Sequence, residues 1–381
     1  MTISLSRVRA MALLLFIACA CTDDKPLTTV SGLHPKDFQT IIGGKKVDLY
    51  VLRNKGGMEV CITNYGCRIV SVMVPDRKGK FRDVALGFDS ISDYLRYPSD
   101  MGATVGRYTG IVRNAKISIG GKTFHLSQDD AGNYVSGGEK SFQNQVFDAQ
   151  QISDSKVVLT YISKNGEEGF PGNLICSATF KLEDDNALNI SYTMDTDCPT
   201  AFNVTNHLYL NLSGNPSTLI TDNRLMIRAP YFVPVSSALI PTGKVARVSG
   251  TPMDFRKPRT IGKYLNQGNY LQIKNAKGFD HTYLIQKDNS DSLYSFAELF
   301  SPESGIMMSL NTTEPCLHLY SGNRMSGTMT GKHGAVYNQH AALVLSAGKI
   351  PLSVKGSHAS SILEPGKKYT SRTVLKFSAV K

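Results

Sequence analysis

Along most of this chain, apolar and polar side chains alternate in short runs. Val47-Asp-Leu-Tyr-Val-Leu52, Glu59-Val-Cys-Ile-Thr63 and Arg68-Ile-Val-Ser-Val-Met-Val74 open the series. A period of two sends one set of side chains to a single face, so each run predicts a β-strand with a buried face. Gly56-Gly57 and Pro75-Asp-Arg-Lys-Gly79 supply turn chemistry between them. Residues 116–126 read as a hairpin about Gly120-Gly121, and further runs follow at 156–162, 174–182, 187–194, 306–310, 317–320 and 374–378. Residues 90–96 predict one short helix, and no long stretch has helical periodicity. Many short strands with regular turns define an all-β class, a sandwich or barrel. No linker divides residues 37–381, which read as one domain.

One run stands apart: Ala201-Phe-Asn-Val-Thr-Asn-His-Leu-Tyr-Leu-Asn-Leu-Ser-Gly214. Its alternation predicts a strand buried on one face, with Asn206 and His207 at its middle. A histidine in such a place is either a core imidazole satisfied by a neighbour or a group that exchanges protons near neutral pH. The surrounding motifs decide between these readings.

The beginning of the chain has a different pattern. Arg7 and Arg9 precede the apolar run 10–18, which ends in Cys19-Ala20-Cys21. A charged start, a short apolar centre and small residues before a cysteine read as an export signal, too short to span a membrane. The pattern resembles a bacterial lipoprotein signal over residues 1–20, with Cys19 or Cys21 as the lipidated residue. Residues 21–36 then read as a tether, and the expected location is the periplasm or the outer-membrane or cell surface. The only expected membrane contact is through that lipid.

The chain has 381 residues, 41% of them hydrophobic, and a formal net charge of +11. Its Lys and Arg are scattered singly or sit in turns, with no basic helix or aromatic-basic stripe, so the charge reads as solubility rather than a nucleic-acid surface. Cys61, Cys67, Cys176, Cys198 and Cys316 show no CxxC pair and no Cys/His metal spacing. Cys61 and Cys67 lie an even number apart, which leaves a disulfide between them open. Most of the five read as small buried hydrophobes.

Several segments together resemble the aldose 1-epimerase (galactose mutarotase) family. Asn203-Val-Thr-Asn-His-Leu-Tyr-Leu-Asn-Leu212 is similar to its NLTNHxYFNL motif. In family order come Ile62-Thr-Asn-Tyr-Gly66, Asp83-Val-Ala-Leu-Gly-Phe-Asp-Ser90, Ala103-Thr-Val-Gly-Arg-Tyr108, Gly166-Glu-Glu-Gly-Phe-Pro-Gly-Asn173, Gly250-Thr-Pro-Met-Asp-Phe-Arg256, Gly278-Phe-Asp-His281, Leu319-Tyr-Ser-Gly-Asn323 and Gly334-Ala-Val-Tyr337. The resemblance implies an antiparallel β-supersandwich with a sugar cleft, and no cofactor or metal. It also implies anomer interconversion through ring opening, in which a Glu takes the C1 hydroxyl proton and the His of TNH protonates the ring oxygen.

Carried over by residue, the resemblance puts His207 on the acid position with Asn206 beside it, and Asp280 on the hydroxyl-binding aspartate. Other positions depart. The family's Asn-Arg pair is Gly110-Ile111, its assisting His is Ser136, the Gln before its YxGN segment is His318, and its base Glu is Ser346. A serine does not replace a carboxylate unless another group takes its proton. Two functions follow: mutarotation by His207 with a relocated base, for which His318, Glu314 and Asp254 are candidates, or non-catalytic binding of a hexose or oligosaccharide. A third is epimerase-like chemistry on a modified or phosphorylated sugar.

Overall fold

In a computed structural model of the chain, the alternating runs become antiparallel strands, gathered mainly into sheets of nine, six and four strands. The structure describes residues 29–380 apart from 266, 286–291, 355 and 357–360. The expected signal, with Cys19 and Cys21, lies outside the described residues.

The nine-stranded sheet runs in the order Asp148–Ser153, Lys156–Ser163, Leu174–Leu182, Ala187–Thr196, Tyr369–Ala379, Ile306–Thr312, Tyr294–Phe300, Arg224–Ile227 and Arg259–Thr260. In Leu174–Leu182 every second residue is buried, from Leu174 through Cys176, Ala178 and Phe180 to Leu182. The alternation read from sequence is therefore a true inside and outside. Tyr369–Ala379 sits at the centre, paired on one side with Ala187–Thr196 and on the other with Ile306–Thr312.

The six-stranded sheet has the order Tyr209–Leu210, Leu343–Gly348, Cys316–Tyr320, Asp280–Leu284, Tyr231–Val233 and Ala246–Arg247. Leu317, Leu319, Tyr283, Leu343 and Leu345 turn inward and join Phe180, Leu188, Ile190, Leu310 and Leu375 in one core. Burying a Leu or Phe side chain of this kind contributes about 1.5–3 kcal/mol. The alternate residues of the same strands, among them His318, Tyr320, Asp280 and Ser346, face the other way. One pleat thus carries both packing and chemistry.

The Gly120-Gly121 hairpin forms between Lys116–Ile119 and Lys122–His125. The short helix is Ile91–Arg96, with the Ser90 hydroxyl accepting the Asp93 amide at its start.

Three expectations are corrected. First, the 201–214 run is not one strand. It breaks into Thr200–Ala201, Thr205–Asn206 and Tyr209–Leu210, which pair with Ile362–Leu363, Thr104–Val105 and Leu343–Gly348 respectively. Its polar side chains are buried as well, because Asn203, Asn206 and Asn211 donate to the carbonyls of Thr109, Gly102 and Ala341, each at 2.8 Å. Asparagine satisfying loop backbone mimics the polar half of an amphipathic strand.

Second, the stretch expected as a tether is part of the domain from Thr29 onward. The amides of Val30 and Ser31 donate to the buried Glu59 carboxylate, and Leu33 packs with Phe38, Val70 and Phe88. Third, Cys61 and Cys67 are both free. The turn between Glu59–Thr63 and Arg68–Pro75 breaks the strand parity, so Cys61 faces the Leu33 cluster and Cys67 the main core.

Candidate active site

The outer face of the six-stranded sheet floors a cavity of about 610 Å³. Strand register sets its residues in rows. Tyr209, Val344, Tyr320 and Asp280 lie side by side, and Ser346, His318, Thr282 and Val233 form the next row.

His207 joins this floor from the segment that links two sheets. Its amide donates to the Ala103 carbonyl at 2.8 Å, and its carbonyl accepts the Gly102 amide at 2.7 Å. The side chain is 12% exposed, with Nδ1 2.7 Å from Asp100 Oδ2. The other oxygen, Asp100 Oδ1, accepts the Tyr209 hydroxyl at 2.7 Å. Burial alone would raise the Asp100 carboxyl. The charge of His207 once its ring is protonated, its hydrogen bond, the Tyr209 hydroxyl and the Arg68 charge outweigh that and hold it well below the usual carboxylate range. His207 lines the cavity, and its Nε2 is buried and without a hydrogen-bond partner in the protein.

Asp280 is held by a donor on each oxygen. His318 Nε2 donates to Oδ1 and Arg324 Nη2 to Oδ2, each at 2.9 Å. Burial pushes this carboxyl up, but the bonds and charges of His318 and Arg324 bring it below its ordinary value. His318 Nδ1 is 3.2 Å from Thr282 Oγ1. With Nε2–H given to Asp280, Nδ1 accepts the Thr282 hydroxyl, and the neutral ring has no lone pair left for a sugar. The expectation of His318 as relocated base does not fit this geometry; the ring braces Asp280.

The other two candidates for that base are off the cavity wall. Glu314 is buried against the core, where it accepts the Tyr369 hydroxyl and lies 3.3 Å from Lys349 Nζ. It borders a separate void of about 20 Å³. Asp254 is bound by Arg256, two residues along its own turn, at 2.8 Å.

Ser136 and Ser346 both line the cavity. The Ser136 amide donates to the Gly110 carbonyl at 2.9 Å. Ser346 is only 3% exposed, and its hydroxyl donates to the Asn206 carbonyl at 3.0 Å. Asn206 itself is not on the wall. Neighbours in an extended segment point to opposite sides, so with His207 facing the cavity the Asn206 side chain turns to the small void.

Five of the six expected side chains therefore come together: His207, Asp280, His318, Ser136 and Ser346. Sequence reasoning missed Asp100, Tyr209, Tyr320 and Arg324, which complete the polar side. Asp100 lies 107 residues from the imidazole it holds. Its only sequence cue is its place just before the Ala103–Tyr108 motif, as Arg324 directly follows Asn323.

Fold and cleft together define a β-sandwich protein with an open pocket that sets a few convergent polar side chains among apolar ones. The aldose 1-epimerase family model matches residues 48–376. Galactose mutarotase of Mus musculus is 36% identical over 337 residues, 88% of this chain and 95% of that protein. Aldose 1-epimerase of Escherichia coli is 31% identical over 340 residues, 88% and 96% of the two chains. Among solved structures, the aldose epimerase homologue from C. elegans superposes with a TM-score of 0.80 at 26% identity, covering 88% of this chain and all of that one. Galactose 1-epimerase from Lactobacillus acidophilus gives 0.78 at 28% identity, covering 90% and 97%. The chain belongs to the aldose 1-epimerase family.

Proposed function

We propose that the cleft binds the pyranose form of an aldose and that the protein is a slow mutarotase with His207 as its proton-exchanging group. The observation that carries this reading is the His207 ring, which lines the cavity with a buried, unpartnered Nε2, while the Ser346 hydroxyl is already bound to the Asn206 carbonyl. Ring opening needs a proton taken from the C1 hydroxyl and one given to the ring oxygen. A positioned acid or base typically contributes about 10²–10⁴-fold, so a site with one such group in place of two is slower by about that factor. Asp280, fixed from both sides, offers acceptors for sugar hydroxyls, and the Tyr209 and Tyr320 rings give apolar faces for the sugar's C–H surface. The names of the mouse and Lactobacillus relatives support an aldohexose such as galactose as the sugar.

Polarimetry with α-glucose and α-galactose tests the reading. A rate above buffer that disappears in His207→Ala supports it. A rate that survives in His207→Ala places the chemistry elsewhere and overturns it. The state of Ser346 favours a second reading, carbohydrate binding without turnover, for which the outcome is saturable sugar binding with rotation at the buffer rate.

The N-terminal pattern supports export and attachment to a membrane by lipid. Fatty-acid labelling in a bacterial host is expected to be lost in either Cys19→Ser or Cys21→Ser; labelling kept in both, or absent in the parent, counts against an anchor.

A further inference from the structure

We propose that Asp100 is a positioning residue that fixes the proton of His207 on Nδ1 and so makes this imidazole the base that starts ring opening. The proposal rests on the reading of the cleft as a mutarotase site and assigns the proton path within it. The resemblance gave this histidine the acid's role; the hydrogen-bond pattern reverses its starting state.

An ionised carboxylate can only accept hydrogen bonds. Asp100 Oδ2 lies 2.7 Å from His207 Nδ1, so the proton between them belongs to Nδ1. Tyr209 donates to Oδ1 at the same distance, so the carboxylate is held at both oxygens and does not turn away. Its backbone is pinned as well. Arg68 Nη1 donates to the carbonyls on either side of it, Ser99 at 3.0 Å and Met101 at 2.7 Å. Arg68 and Tyr209 are buried, and Gly102 and His207 bond directly through the backbone, so the acid and the ring are parts of one rigid unit. With Nδ1 carrying the proton, the neutral ring of this cavity-lining residue keeps its lone pair on Nε2, the nitrogen that no protein group bonds.

The step balances without a co-reactant. Nε2 takes the proton of O1, and the O1–H electron pair becomes the C1=O1 π-bond. The C1–O5 bond breaks with its electron pair going to O5, and O5 takes the proton from Nε2–H. Both oxygens are bonded to C1, so a single nitrogen reaches each in turn. Asp100 stabilises the imidazolium that exists between the two transfers. Rotation about C1–C2 and the reverse sequence give the other anomer.

The test uses the full-length protein labelled with ¹⁵N, with the His207 ring nitrogens assigned by their loss in His207→Ala. The wild type at a pH where the ring is neutral is expected to show protonated Nδ1 and bare Nε2. Asp100→Asn should redistribute that proton and lower kcat by about 10²-fold or more while leaving KM within about twofold. A neutral wild-type ring protonated at Nε2 overturns the proposal, as does an Asp100→Asn variant with unchanged kcat or a change in KM alone. The wild-type spectrum decides the tautomer even if the variant does not fold. Absence of wild-type turnover would instead sink the mutarotase reading, which polarimetry reports separately from the spectrum.

Discussion

At Ser346 one side chain separates this cleft from the arrangement its family motif implies. The residue is opposite His318 across a strand pair and faces the cavity, yet its short hydroxyl ends at the Asn206 carbonyl. Restoring a carboxylate with Ser346→Glu should raise the mutarotation rate by about 10²-fold or more, because acid and base would again be separate groups. Polarimetry checks it, and a folded variant with no gain would show that position 346 is not aligned with the anomeric centre. Some destabilisation is expected from a carboxylate placed where only 3% of the serine is exposed. His207, Asp280 and Ser346 were legible in the sequence because each sits inside a contiguous motif. Asp100 was not, because a partner far along the chain leaves no local trace. His318 and Glu314 were misjudged as bases for a related reason: residue type shows what a side chain can do, while Thr282, Tyr369 and Lys349 determine what it is free to do.

Among the elements, the segment 98–103 does the most to place the site. Gly102 has φ +73°, and a Cβ there would lie 2.0 Å from the Ile69 carbonyl oxygen. Only glycine lets this loop approach the Arg68–Pro75 strand closely enough for its amide to reach the His207 carbonyl. Gly102→Ala should therefore destabilise the fold by more than about 1 kcal/mol. It should also weaken sugar binding, since Asp100 and His207 both move with the loop. Thermal melts and sugar titrations check the two effects, and an unchanged melting temperature would show that the loop adjusts freely. Leu174–Leu182 was readable because one sheet face meets the core, whereas Glu59–Thr63 is buried on both faces and was readable from its residue types and flanking turns. The 201–214 run was misread because its asparagines are buried with backbone partners, which periodicity alone does not distinguish from exposure.

For the molecule as a whole, the core between the large sheets carries a titratable group that ties stability to pH. His281 is fully buried, with Nδ1 accepting the Asp280 amide at 3.0 Å and Nε2 3.2 Å from Gln272 Oε1. Burial pushes its imidazole down to about 4, against the opposing pull of Asp280. The unfolded chain binds the proton first on acidification, so stability is lost as pH falls below the ordinary histidine value of about 6.5. Between pH 7 and pH 5 this group should remove about 2 kcal/mol. Asp100 and Asp280 act lower, because their depressed values withdraw stability only as pH falls through the carboxylate range. Denaturant titrations across pH 5 to 7 should show the slope in the wild type and a flatter one in His281→Asn; equal slopes would place the acid sensitivity elsewhere. The all-β class was legible from alternation and turn chemistry. The packing of Val30 and Ser31 onto the domain was hidden because it depends on Glu59 capturing two amides.

Because packing and chemistry occupy alternate residues of the same strands, the cavity floor is a grid of exchangeable tiles over an untouched foundation. Val344 lies between Tyr209 and Tyr320 in one row, and Ser346 beside His318 in the next. New pairs of functional groups can be grafted at those squares without disturbing Leu343 and Leu345 beneath them. The sheet thus offers a route by which one ancestral pocket could exchange its reagents while keeping its architecture, and a designer could follow the same route in reverse.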